Sequence, residues 1–105
     1  PVSHLELELQ AGVDKFVRGW TLLVEQGAAM DESAAALNRA LFRRYALRDD
    51  VPEDQADTYH RASKAAERFC TQLGRDFSRR HNLDAMRHRV RDFYRLGLSE
   101  KMRAA

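Results

Sequence analysis

Apolar residues recur about once per helical turn along nearly the whole chain, and this period leaves little room for any fold but an all-helical one. Only two prolines occur, Pro1 and Pro52, and neither falls inside a long periodic segment. In the first segment, residues 3–26, Leu9, Val13, Phe16, Trp20 and Leu23 step by 4, 3, 4 and 3, a heptad-like seam. Leu5, Val17 and Val24 widen that face, while Leu7 and Leu22 fall on the other side. Ser3 with Glu6 makes a capping-box pattern, and Gly27 is a natural stop. The run Leu5-Glu6-Leu7-Glu8-Leu9 alternates with period two, so residues 2–9 also read as a short strand or arm.

Three further helices are expected. Asp31 caps one over residues 32–48, with Leu37, Leu41 and Tyr45 as its apolar line and Phe42 at the margin. Asp49-Asp50-Val51-Pro52 connects it to the next, where Asp50 with Glu53 is a second capping pattern and Pro52 suits a first helical position. The third helix carries Tyr59, Ala62, Ala66, Phe69, Leu73 and Phe77, and runs to about residue 80 despite Gly74. Asn82 or Asp84 caps the fourth, which turns Leu83, Met86, Val90 and Phe93 inward and stops near Gly97. The expectation is one all-α domain over residues 1–105, a bundle of about four helices with long first and third members. Residues 98–105 form a loose polar tail, or one further turn.

With 44% apolar and 32% charged residues in a 105-residue chain, one core is affordable, yet much apolar surface stays uncovered, and a homodimer would cover it. The single Cys70 cannot form an internal disulfide, which suits a reducing compartment. There is no apolar run of membrane-spanning length and no charged-then-apolar opening, so the expected setting is the cytoplasm, away from membranes.

Charge divides along the chain. Residues 1–59 hold six Lys/Arg against eleven Asp/Glu, and residues 60–105 hold twelve against five. Two such halves can attract each other, attract a second copy, or present the basic face to an acidic partner. Fifteen of the 18 basic residues are Arg, the residue suited to bidentate pairing with carboxylate or phosphate. On the third helix Arg61, Lys64, Arg68, Arg75 and Arg79 project within about 60° of one another, opposite the apolar line. That stripe reaches about 27 Å if the helix is straight. A second row is Arg87, Arg91 and Arg95, spaced so that the charges repel unless something acidic relieves them. Arg39 and Arg43 make a smaller pair on the second helix.

Catalytic patterns are missing. The four histidines and Cys70 show no metal-ligand spacing, and no phosphate loop or nucleophile elbow occurs. The reading is of a non-enzyme with no cofactor, no metal and no catalytic residue. Pro1-Val2 followed by alternating leucines resembles the opening of the tautomerase family, whose N-terminal proline is the catalytic base. That family needs a second strand where residues 31–48 here read as helix, so the resemblance ends after about ten residues. Residues 60–95 also loosely resemble a helix-turn-helix, with a joint over residues 78–82 and a recognition helix bearing Arg87, His88 and Arg91. Transcriptional regulation by direct DNA binding is therefore the alternative function.

In size, helicity, arginine richness and lack of a catalytic set, the whole chain resembles the small all-helical quorum-sensing antiactivators of bacteria. The resemblance implies a homodimer that covers the dimerisation surface of a transcription factor. It carries no motif, so the candidate residues come from the periodicity. They are Leu9, Val13, Phe16, Trp20 and Leu23 for self-association or partner binding, with Leu7 and Leu22 as exposed anchors. The basic face is Arg61, Lys64, Arg68, Arg75, Arg79, Arg87, Arg91 and Arg95.

Overall fold

The structure, a computed structural model, describes residues 3–46, 52–77 and 83–105, with side chains as far as Arg43 on the second helix. The elements in order are α1 (His4–Glu25), α2 (Met30–Ala46), a 3-10 turn (Glu53–Gln55), α3 (Ala56–Phe77), α4 (Leu83–Arg95) and α5 (Leu98–Ala104). Among the described residues there is no strand, so the all-α expectation holds.

The period-two start resolves as helix. Ser3 is the N-cap of α1, and its Oγ accepts the Glu6 amide at 3.1 Å. Only this half of the capping box is used as the sequence suggested, because the Glu6 carboxylate turns to Lys101. At the other end Gly27 sits at φ +98°. The Ala28 amide donates to the Leu23 carbonyl at 2.9 Å and the Gly27 amide to Val24 at 3.0 Å, a Schellman closure that needs a left-handed residue. On α2 the helix already starts at Met30, so Asp31 lies inside the first turn rather than before it. Pro52 N-caps the 3-10 turn instead of opening α3. The expected caps at Asp50 and Asn82, the side chain of Tyr45 and the stretch beyond Phe77 lie outside the described residues.

The residue pairs that meet give the topology. Trp20 Nε1 donates to the Met30 carbonyl at 3.0 Å, and Gly19 faces Leu37, so α2 packs on the C-terminal half of α1. Asn38 Nδ2 donates to Thr71 Oγ1 at 2.9 Å and Ala34 faces Gly74, so α2 and α3 are antiparallel. Asp76 meets Arg89, and Phe69 stacks on Phe93 with centroids 4.0 Å apart, which sets α4 antiparallel to α3. Glu25 meets Arg87 and Glu6 meets Lys101, so α4 and α5 run back along α1. The helices α1 and α3 are therefore parallel and central, with α2 on one flank and α4 on the other, in a flat body of 41 × 28 × 17 Å.

The α1 seam is spent on this arrangement. Leu9, Val13, Phe16 and Trp20 are 0% exposed and join Tyr59, Ala62, Ala66, Phe69 and Leu73 of α3 in one cluster. Alanines at 62, 65 and 66 let the two helices approach closely. Burying such side chains is worth about 1.5–3 kcal/mol each for the large ones. Of the two expectations for the C-terminal stretch, a loose tail or one further turn, the structure shows the helical one. Residues 98–104 form α5, whose Lys101 is 1% exposed. Its Nζ donates to Glu6 Oε1 at 2.5 Å, across 95 residues of sequence. The C-terminal helix is thus tied to the first turn of the chain by a buried ion pair.

Candidate protein-docking groove

Packing α1 against one side of the α2/α3 pair leaves the other side of that pair open. There α2 and α3 enclose a cavity of about 990 Å³. The α2 wall is Asp31, Ala34, Ala35, Asn38, Arg39, Phe42 and Arg43, and the α3 wall is Glu67, Cys70, Thr71, Gly74 and Arg75. Its size falls at the upper end of ordinary ligand clefts, about 300–1,000 Å³.

Small residues make the floor. A Cβ added at Gly74 would stand 3.4 Å from the Ala34 Cβ, so the helices nearly touch there. Asn38 and Thr71 bridge the floor, and Thr71 Oγ1 donates onward to the Glu67 carbonyl at 2.8 Å, which settles the polar groups at its centre. Phe42, 4% exposed, closes one end with an aromatic ring. Burial pushes the Cys70 thiol well above its ordinary value, so this cysteine is a neutral, unreactive part of the floor.

Charge lines the edge. Arg39, Arg43 and Arg75 are exposed, and none forms an ion pair among the described residues. Of the expected basic stripe, Arg61 and Lys64 are exposed on the outer face of α3, Arg75 stands on the groove edge, and Arg79 lies outside the described residues. Arg68 is drawn to the C-terminal end, its Nε donating to the Ala105 carbonyl oxygen at 3.3 Å.

The second row behaves differently. Arg87 lies 3.7 Å from Glu25 of α1 and 3.8 Å from Asp84, the acidic relief its spacing called for. Arg89, on the opposite flank of α4, bonds Asp76 of α3 at 2.7 Å. Arg87 therefore lies on the α1 side of α4, while Arg91 and Arg95 are exposed. The attraction between acidic and basic halves is satisfied partly within the chain. Of the helix-turn-helix reading, the structure shows Arg87, His88 and Arg91 exposed on α4. The joint itself, residues 78–82, lies outside the described residues.

The expected interface residues divide as well. Leu9, Val13, Phe16 and Trp20 belong to the internal core and offer nothing to a partner, which corrects their assignment; Leu23 is half-buried. The heptad seam was real, but its facing helix is α3 of the same chain. Leu7 and Leu22 are each 54% exposed and remain available. They stand about 22 Å apart along α1 with Lys15 and Arg18 between them, and Arg18 pairs with Asp14 at 3.1 Å. A dimer built through α1 would have to use these two separated leucines.

Among the described residues no group of His, Cys, Asp and Glu is placed to hold a metal, and no helix is long and apolar enough to cross a membrane. The groove was not anticipated. Its only trace in the sequence was the pair Arg39 and Arg43, because the floor is built from Ala, Cys and Gly, which barely register in an apolar period. No family model matches the chain, and neither a curated protein nor a solved structure matches it.

Proposed function

We propose that this protein is a small regulator that acts by binding another protein, and that the α2/α3 groove is the binding surface. The observation that carries this reading is a trough between α2 and α3 edged by Arg39, Arg43 and Arg75, none of which forms an ion pair among the described residues. Exposed guanidiniums beside an apolar floor are the composition of a recognition surface, where the floor supplies affinity and the edge supplies specificity and encounter rate. Inhibition of a transcription factor, by occupying the surface it uses to dimerise or reach DNA, is the specific form suggested by the likeness to quorum-sensing antiactivators. Homodimerisation belongs to the same proposal, with Leu7 and Leu22 as its remaining anchors.

The test is a pull-down from the native host with nuclease treatment and mass spectrometry, run on three proteins. Ala35→Trp fills the groove at an exposed position, and Leu22→Glu alters the far face of α1. One defined protein partner is expected with the wild type and with Leu22→Glu, and is lost with Ala35→Trp. Retention of the partner by Ala35→Trp overturns the assignment to the groove. Recovery of nucleic acid alone overturns the protein-binding reading.

A further inference from the structure

Resting on the groove reading above, we infer that the occupant is an amphipathic helix of about three turns, with carboxylates on the flank that faces α2. Length comes first. From Asp31 to Arg43 the α2 wall spans about 18 Å at 1.5 Å per residue, the length of about 12 helical residues.

Backbone chemistry selects helix over extended peptide. An extended segment carries unpaired N–H and C=O groups and needs a sheet edge to satisfy them. Both walls here are α-helices, whose mid-helix amides are already paired along their own axes. Only an occupant that satisfies its own backbone can lie on that floor without a desolvation cost. Apolar side chains at i, i+3 or i+4 and i+7 then lie over the shallow floor at Ala35 and Gly74. The close approach at Gly74 and Ala34 keeps the trough shallow at one end, and the buried ring of Phe42 closes the other.

Charge fixes the flank. Arg39 and Arg43 stand one turn apart on the α2 wall, a like-charge i,i+4 pair whose members repel. No carboxylate of the chain pairs with either among the described residues. Acidic side chains at i and i+4 of a docked helix match that spacing. The α2 wall carries two arginines against Asp31, whereas on the α3 wall Glu67 and Arg75, two turns apart, balance, so the α3 flank makes the weaker demand.

The experiment is a selection from a displayed library of 14-residue helical peptides, about the length argued above, with a fixed apolar stripe and randomised flanks, followed by affinity measurement by fluorescence anisotropy. Enrichment of Asp and Glu on one flank is expected, with affinity falling about tenfold for the Arg39→Glu, Arg43→Glu double variant. Both positions are exposed, and unchanged circular dichroism and denaturation midpoint would confirm an intact fold. Neutral or basic flanks, or equal affinity for the double variant, would overturn the inference while leaving the groove reading in place if Ala35→Trp still abolishes binding. Peptides that bind Ala35→Trp as well as wild type lie elsewhere and overturn both. Failure to select any peptide removes the helical occupant. Displacement of a selected peptide by a 20-base-pair duplex at physiological salt would assign the arginines to nucleic acid instead.

Discussion

Removing the ammonium of Lys101 tests the packing of the whole chain from its last helix. Lys101 is 1% exposed and Glu6 16%, with Nζ and Oε1 2.5 Å apart. Lys101→Met keeps the aliphatic stem and deletes only the charge, so Glu6 is left as a mostly buried carboxylate without its partner. Breaking a buried pair from one side costs about 3–5 kcal/mol, and the residual exposure of Glu6 brings the expectation to about 2–4. For 105 residues at about 0.05–0.15 kcal/mol each, total stability is about 5–15 kcal/mol, so a large share disappears. Replacing both residues, Glu6→Leu with Lys101→Met, removes the stranded charge and should return to within about 1 kcal/mol of wild type. The assay is urea denaturation followed by the fluorescence of Trp20, the single tryptophan, which is 0% exposed in the fold. Midpoints and slopes from the four proteins give a coupling energy of about 2 kcal/mol or more. A Lys101→Met cost below about 0.5 kcal/mol, or a coupling near zero, would refute the reasoning and return residues 98–105 to the status of a loose tail.

Three other outcomes follow from local geometry. Gly27→Ala should cost about 1 kcal/mol, because φ of +98° disfavours any Cβ; an unchanged urea midpoint would contradict the Schellman closure. Gly74→Ala should instead stabilise by about 0.5–1 kcal/mol, since it removes a mid-helix glycine and its methyl meets Ala34 at an ordinary 3.4 Å; a lower midpoint would show that α2 and α3 lie closer. The Tyr94 hydroxyl is buried and has no hydrogen-bond partner among the described residues, so Tyr94→Phe should leave stability unchanged or raise it by up to about 1 kcal/mol. Burial first, then the charge of Asp14 and the proximity of Cys70, against an opposing effect of Arg18, push its pKa up to about 12. The unfolded chain releases this proton near pH 10 and the folded chain near 12, so the unfolded state binds fewer protons in that window. Stability therefore falls as pH rises from about 10 to 12, and Tyr94→Phe should flatten that part of the curve.

The helices were legible because apolar residues on α1 and α3 return once per turn and only Gly and Pro punctuate them. What a seam faces was not legible. Leu9, Val13, Phe16 and Trp20 have the same spacing whether the opposing helix is a second copy or α3 of the same chain, and only the folded arrangement decides. Lys101 was misplaced for a related reason. A lysine in a short polar stretch looks solvated until a carboxylate 95 residues away is brought to it. Phe42 was set at the margin of α2 by its angle relative to Leu37 and Leu41, yet it is 4% exposed because α3 lies on that side. The groove was hidden most completely. Ala34, Ala35, Cys70 and Gly74 carry almost no periodic signal, and their meaning appears only when α2 and α3 lie antiparallel in register. The basic rows were visible as rows, but the pairing of Arg87 with Glu25 of α1 appears only in the fold.

Direct contact at the groove is the decisive measurement. A photo-reactive phenylalanine analogue placed at Ala35, and in a separate protein at Leu22, can be irradiated in the cells that make the protein. A single cross-linked species with a different protein from position 35, and from position 22 no species other than a second copy of this chain, is the outcome this account predicts. A silent position 35, or the same species from both positions, would contradict it.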